Sequence, residues 1–332
     1  MTTDQDTAET AALLKQRAIE LGFQHVGIAG AVTPPGFHPL IDWIENGYAA
    51  DMNWIERRRD AYEHPDGVLP GTRSVVTAAM NYHNRDPLPE TARIARYAWS
   101  GQDYHDVLRD RLSQLAQVLE TRAPDSRSRV VVDTAPLLER DFARLAGIGW
   151  YGKNSMLISR EIGSWFFLGA ILTSAELPWD EPYSGDYCGT CTRCLDECPT
   201  DAFPEPYVLD SNRCISYHTI ENRSGEIPVD LKASFGNWVF GCDICQEVCP
   251  WNRFAPRDSD PAFQPRPDLY TATPQTLLNV SEEEFLAKFE GTPLERTGYA
   301  AIQRNARIAM DNQKTRSGDH QISHSLNRDE SP

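Results

Sequence analysis

No cysteine occurs before residue 188 or after residue 249 of this 332-residue chain, so disulfides cannot be distributed through it as a framework. No apolar run approaches the ~20 residues of a membrane-crossing helix, which argues against a membrane role. The first residues, Met-Thr-Thr-Asp-Gln-Asp, are polar and acidic. That is the wrong chemistry for a signal or transit peptide, and the expected location is the reducing cytoplasm. Positive charge is scarce: 32 Lys and Arg stand against 48 Asp and Glu, a net charge of −16. Broad nonspecific nucleic-acid binding is disfavoured, although a local basic patch facing an anionic substrate is not. No G-x-G-x-x-G follows an early strand, so a dinucleotide site has no support. The only internal repetition is a doubled cysteine motif.

That motif organises the chain. Cys188-Gly-Thr-Cys191-Thr-Arg-Cys194-Leu-Asp-Glu-Cys198-Pro199 is C-x2-C-x2-C-x3-C-P, and Cys242-Asp-Ile-Cys245-Gln-Glu-Val-Cys249-Pro250 is the same motif without its first cysteine. The pattern is that of a ferredoxin-type site for two [4Fe–4S] clusters, where three closely spaced thiolates wrap one cubane and the fourth reaches its neighbour. Cys214 supplies the missing position. The expected ligand sets are Cys188, Cys191, Cys194 and Cys249 for one cluster, and Cys198, Cys214, Cys242 and Cys245 for the other. All eight cysteines are thereby used. A zinc ribbon uses separated C-x2-C knuckles, four ligands per ion, and fits this run poorly. Disulfides fit a reducing compartment no better.

Around this segment the chain divides into an α/β (α+β) domain over 1–180, a ferredoxin-type domain over 181–255, and a short helical region with a disordered tail over 256–332. The boundary near 180 follows a shift to proline and acid. Helices are expected near 8–21, 104–122 and 137–145, and strands near 23–29, 74–81, 129–132 and 164–173. A helix should start at Ser281, whose Glu284 completes a capping pattern. From Asn312 onward the sequence is polar with almost no apolar spacing, so an irregular tail is expected. Asp133 follows a strand and precedes a helix, where α/β proteins place their sites; it reads equally as a helix-capping aspartate. The loop Gly149-Trp-Tyr-Gly-Lys153-Asn-Ser155 lets backbone approach a flat ligand, or is simply a tight connection. Tyr97 and His105 read as half-buried structural residues on pattern alone. Arg57-Arg58-Arg59 reads first as a solvated helix end and second as a phosphate-facing patch.

Several stretches together resemble the epoxyqueuosine reductases, cobalamin-dependent iron–sulfur enzymes of tRNA modification. They are Ile94-Ala-Arg-Tyr-Ala with Asp103-Tyr-His105, Val132-Asp-Thr-Ala-Pro-Leu-Leu-Glu-Arg140, Gly149-Trp-Tyr-Gly-Lys-Asn-Ser155, Gly163-Ser-Trp-Phe-Phe-Leu-Gly169, Arg213-Cys-Ile-Ser-Tyr217, and Gly241-Cys-Asp-Ile-Cys245 with Cys249-Pro-Trp-Asn252. The resemblance runs from the N-terminal helix to about residue 311. It implies a cobalamin-binding first domain and reduction of the epoxide of epoxyqueuosine, at the tRNA wobble position, to the alkene of queuosine. Electrons pass through two [4Fe–4S] clusters to cobalamin. A general acid must protonate the departing oxygen, and the resemblance gives that role to Asp133, with burial against the corrin expected to favour its protonated form at the right moment. It also places Arg57, Tyr97, Asp133, Lys153, Ser155, Ser164 and Ser216 around the corrin or nucleoside. No Asp-x-His-x-x-Gly cobalamin motif is present, in keeping with a family that binds the corrin without a histidine beneath the metal.

The implied partners are tRNA, through its anticodon stem-loop, and a low-potential electron donor such as a flavodoxin or ferredoxin. Nothing in the sequence fixes an oligomeric state, and a monomer fits. Family members often continue into a C-terminal helical-repeat region; here Gln303-Arg-Asn-Ala-Arg-Ile-Ala-Met310 resembles its first helix and a polar tail follows. Contact with tRNA is therefore expected to be confined to the stem-loop, on a basic surface that includes Arg57 to Arg59. The alternatives are a corrinoid iron–sulfur reductase acting on a small molecule, and a non-catalytic electron-transfer or cobalamin-carrier protein.

Overall fold

The computed structural model describes residues 4–223 and 225–326. The first part contains α1 (Asp4–Glu20), β1 (His25–Gly30), α2 (Phe37–Glu45), α3 (Asn53–Glu56), β2 (Ser74–Asn81), β3 (Arg93–Ile94), α4 (Tyr104–Arg122), β4 (Ser128–Val131), α5 (Glu139–Leu145), β5 (Trp150–Tyr151), β6 (Leu157–Ile158) and β7 (Phe166–Thr173). The cysteine segment adds α6 (Arg193–Asp196), α7 (Ile215–Ile220), α8 (Val229–Lys232), β8 (Trp238–Phe240) and α9 (Ile244–Glu247). The chain ends in α10 (Pro267–Tyr270), α11 (Pro274–Leu278), α12 (Glu282–Phe289), α13 (Pro293–Thr297) and α14 (Tyr299–Leu326).

The central sheet has the order β1-β2-β7-β4, and every pairing in it is antiparallel. The mixed α and β content expected is present, and the antiparallel pairing is the α+β form of it. All eight residues of β2 are buried, because helices cover both faces of the sheet. A strand covered on both faces is a continuous apolar run whichever way its neighbours point. Val76, Ala78 and Met80 face α1 and α4, alongside Leu14, Ala18, Leu108, Leu112 and Leu115. Val75 faces the opposite side, with Val131, Phe142 and Leu172. This alternation is the two-residue period of a strand. Gly27 is obligatory in β1, since a Cβ there would lie 2.0 Å from the carbonyl oxygen of Ala146.

The blocks of sequence interleave in space. β3 pairs in parallel with β8, and Ala92, Ile94 and Trp99 share a core with Val239, Phe240, Leu277, Phe285, Phe289 and Ile302. Residues 92–99 thus pack with the C-terminal helices and the cysteine segment. Ser281 caps α12 as its sequence suggests: its hydroxyl accepts from Glu284 N (3.2 Å) and its own N–H donates to Glu284 Oε2 (2.9 Å). The irregular tail expected from Asn312 is corrected, because α14 continues to Leu326. Asn312 Nδ2 donates to the carbonyls of Lys232 and Gly236 (2.9 and 3.0 Å), holding the helix where apolar anchoring has ended. Residues 327–332 of that expected tail lie outside the described residues. No helix among the described residues is long and apolar enough to cross a membrane.

Candidate active site

The eight cysteines are unpaired thiols, each partly exposed. Short turns α6 and α9 pack against each other, placing the two cysteine motifs side by side. Electrostatics sort the thiols by neighbour. Burial pushes Cys194 up to about 11, and the thiols that add to this are Cys249, Cys188 and Cys191. Burial likewise raises Cys214, next to Cys198, and Cys242, next to Cys245 and Cys214. Cys245 is raised by burial and then by Cys214, Cys194 and Cys198, so the two groups adjoin there. Among the described residues no three Cys, His, Asp or Glu side chains converge tightly enough to hold a single metal ion.

The glycine-aromatic loop braces this cradle. Lys153 Nζ donates to the carbonyls of Gly189 (2.7 Å) and Cys191 (3.0 Å). Buried Asn154 donates to the carbonyl of Cys245 (3.2 Å). Ser164 is only 2 % exposed; its N–H donates to Asn252 Oδ1 (2.7 Å), and its hydroxyl receives Gln246 Nε2 (3.0 Å) and Asn252 Nδ2 (2.9 Å). The second cysteine motif thus engages the Ser164 N–H and hydroxyl oxygen. Ser155 is half-buried in a left-handed conformation, φ +60°. Ser216 is half-buried in the first turn of α7, two residues after Cys214.

Asp133 lies just beyond β4 with φ +59°, a backbone state that costs a non-glycine residue about 1–3 kcal/mol and recurs at functional sites. It does not cap α5, whose N-cap is Leu138. Instead its N–H donates to Glu139 Oε1 (2.8 Å), and its Oδ2 lies 3.2 Å from both Tyr104 Oη and His105 Nε2. His105 is 1 % exposed, and its Nδ1 lies 2.7 Å from Asp103 Oδ1. Arg296 Nη2 donates to Asp103 Oδ2 (2.9 Å), and its guanidinium nitrogens lie 2.7 and 3.1 Å from the ring nitrogens of His105. Although 61 % of the Asp133 side chain is accessible, protein surrounds it so densely that desolvation is the largest single influence on its carboxyl. A group both ringed by protein and open to solvent marks the floor of a cleft.

The charges there are arranged unequally. For Asp133, burial favours the protonated form, but His105, Tyr104 and Arg296 together outweigh it and hold the carboxyl below its ordinary range. For His105, burial opposes the charge, and hydrogen bonds to Asp103 and Asp133 overcome it, raising the imidazole. Burial, then the charge of Asp133, pushes Glu139 up to about 8. The cleft thus sets a carboxyl held low, Asp133, between two groups held high, His105 and Glu139. Burial by the protein alone therefore does not keep the proton on Asp133.

Tyr97 forms the wall between this cleft and the cysteines. Its ring meets Tyr104 edge-on at 5.9 Å and Phe240 at 5.8 Å. Gly241, φ +65°, lets β8 turn into Cys242 directly beneath it; a Cβ there would lie 2.5 Å from Ala95 Cβ and 3.7 Å from Tyr97 Cε1. Of the arginine triplet, Arg58 donates to the carbonyl of Thr134 (3.0 Å), Arg57 is exposed and folds back onto its own turn, and Arg59 pairs with Glu45 at 3.8 Å. Sequence reasoning missed Asp103, Tyr104, Glu139 and Arg296, and took His105 as structural. Asp103 does read as a helix cap, and it is one. Arg296, 191 residues from His105, carries no local signal at all.

Comparison with known proteins places this geometry. A family profile described as epoxyqueuosine reductase QueG matches residues 63–134, and one described as a 4Fe-4S double cluster binding domain matches 187–252. The chain is 42 % identical over 315 residues to an epoxyqueuosine reductase of Xanthomonas campestris, covering 92 % of this chain and 88 % of that protein. It is 39 % identical to the epoxyqueuosine reductase of Escherichia coli, covering 94 % and 83 %. A solved epoxyqueuosine reductase bound to an epoxyqueuosine-modified tRNA-Tyr stem loop superposes with a TM-score of 0.84 at 32 % identity, covering 92 % of this chain and 81 % of that one. The Bacillus subtilis epoxyqueuosine reductase, solved with its aspartate-bearing catalytic loop swung out of the active site, gives 0.83 at 30 % identity, covering 98 % and 87 %.

Proposed function

This chain belongs to the epoxyqueuosine reductase family, and from that premise we propose which of its residues do what in reducing the epoxide of epoxyqueuosine in tRNA to the alkene of queuosine. The overall change consumes two electrons and two protons and releases one water. It therefore needs electron storage, a proton source aimed at the oxygen, and a seat for the nucleoside.

Storage falls to the cysteine cradle. Cys188, Cys191, Cys194 and Cys249 would hold one cubane, and Cys198, Cys214, Cys242 and Cys245 the other. Their neighbour relations, the free thiols and the match to a double-cluster profile support this. The second set lies against Tyr97 and the cleft. The cleft itself suits a corrin: it is open above Asp133, bounded by Tyr97 and Tyr104, and the nearest imidazole, His105, has both ring nitrogens engaged. His105 would therefore not be free to bind the metal of a corrin held there. Cobalamin, when bound there, supplies a low-valent metal able to attack or reduce the strained epoxide. Tyr97, Ser155 and Ser216 are the half-buried residues proposed to border it. Lys153 acts one step back, by fixing the cysteine loop.

Proton delivery rests on Asp133. Its accessible carboxylate, hydrogen-bonded to His105 and to Tyr104, can relay a proton to the leaving oxygen and be resupplied from His105, with Glu139 as a second reservoir. That one arrangement, a strained and accessible carboxylate backed by two proton-bearing groups, carries the reading. The aspartate-bearing loop called catalytic in the B. subtilis relative supports it. Arg58 beside Thr134, with exposed Arg57, offers the anticodon stem-loop phosphates a basic contact at the mouth of the cleft. The test is Asp133→Asn in anaerobically reconstituted protein, with tRNA nucleosides read by mass. Iron, sulfide and corrin content should stay at wild-type level while conversion falls about 10²–10⁴-fold. Unchanged conversion would remove Asp133 from the mechanism.

A further inference from the structure

A second concavity lies at the other end of the cysteine cradle. It is a groove of ≈ 690 Å³ that reaches Cys249 and Pro250 and is lined by five arginines against three carboxylates. In a chain of net charge −16, that local excess of positive charge is unusual. Two of the arginines are already committed: Arg96 is buried on Asp243 (3.1 Å) and Glu247 (2.7 Å), and Arg93 pairs with Glu247. Arg257 reaches Asp86 (2.7 Å). Arg193 and Arg253 are exposed and make no ion pair among the described residues. Arg193 immediately precedes Cys194, and Arg253 lies four residues after Cys249. The next residue, Phe254, is 84 % exposed. Unpaired arginines with an exposed aromatic next to one of them are the composition of a protein-binding surface.

Its position in the electron path decides the partner. Asp133 neighbours Tyr97, Tyr97 lies against Gly241, which precedes Cys242, and Cys242 lies beside Cys245, Cys245 beside Cys194, and Cys194 beside Cys249. The groove therefore opens on the thiolate set farther from the cleft. We propose that this groove docks an acidic one-electron carrier protein, with Arg193 and Arg253 steering it and Phe254 as the apolar contact. The inference rests on the two-cluster reading. One electron leaves the carrier's reduced flavin or iron–sulfur centre and enters an oxidised cubane. Two such deliveries, with two protons, balance conversion of one epoxide to an alkene and water.

The experiment compares reconstituted wild-type protein with Arg193→Glu/Arg253→Glu and, separately, Phe254→Ala, using fully reduced flavodoxin as the probe. Iron, sulfide and dithionite reduction of the clusters are measured first; a wild-type protein without clusters would end the cluster reading, and this proposal with it, before any carrier is added. With clusters intact, charge reversal should slow cluster reduction by flavodoxin about tenfold or more at low ionic strength, and the difference should vanish in high salt. Phe254→Ala should slow it without changing its salt dependence. Reduction by dithionite and the KM for tRNA should not move. Equal flavodoxin rates in wild type and both variants would overturn the proposal. So would a raised KM for tRNA with unchanged carrier kinetics, which would assign the groove to RNA.

Discussion

Replacing His105 by leucine tests the charge arrangement of the cleft most directly. The imidazole is 1 % exposed and faces Asp103, Asp133, Tyr104 and Arg296. Its bond to Asp103, whose side chain is 12 % exposed, is a hydrogen bond between buried charged groups worth about 1.5–3 kcal/mol. The contact to Asp133 adds less, because that carboxylate is 61 % accessible and screened by solvent. His105→Leu should therefore lower stability by about 1.5–3 kcal/mol at pH 6. The sign with pH follows from the raised imidazole. Its stabilisation is complete below the unfolded value of about 6.5 and fades as pH rises through the folded value. The gap between wild type and variant should accordingly narrow from pH 6 to pH 9. At the same time Asp133 loses the first of the influences holding it down, leaving Tyr104 and Arg296 against desolvation, so its carboxyl rises. Two measurements check this: urea unfolding across that pH range, and titration of the Asp133 carboxyl carbon by NMR. A stability gap independent of pH, or an unmoved Asp133, would refute the reasoning.

Other outcomes follow from the same structure. Glu139→Gln keeps the acceptor for Asp133 N–H but removes a carboxyl raised to about 8. Wild-type stability should fall as pH rises from about 4.5 to 8 through that group, and the variant's pH–stability curve should be flatter, equal or higher above pH 7. Arg96→Leu leaves Asp243 buried without its guanidinium and should cost about 3–5 kcal/mol by urea unfolding of the reconstituted protein. Gly241→Ala places a Cβ against Ala95 at a positive φ. It should displace Cys242 and reduce iron from ~8 toward ~4 per chain while sparing the other set, as read by iron analysis and EPR.

The sequence by itself determined what depends on short-range spacing. Cysteines three and four apart, with Cys214 between the runs, carry the cluster-binding signature in their own arithmetic. The strands at 74–81 and 166–173 and the helix at 104–122 are legible because burial and the helical period write themselves into composition over a few residues. The position of Asp133 between a strand and a helix was legible for the same reason. Strand direction was not, since a strand covered on both faces looks alike in either sense. Nor was the company Asp133 keeps: Tyr104 and His105 approach from α4, and Arg296 from α13 near the far end of the chain. Only the tertiary structure could decide that the Asp133 carboxyl is held low between two groups held high. A carboxyl's charge state is a sum over neighbours in space, and those neighbours are brought together by packing that no local pattern encodes.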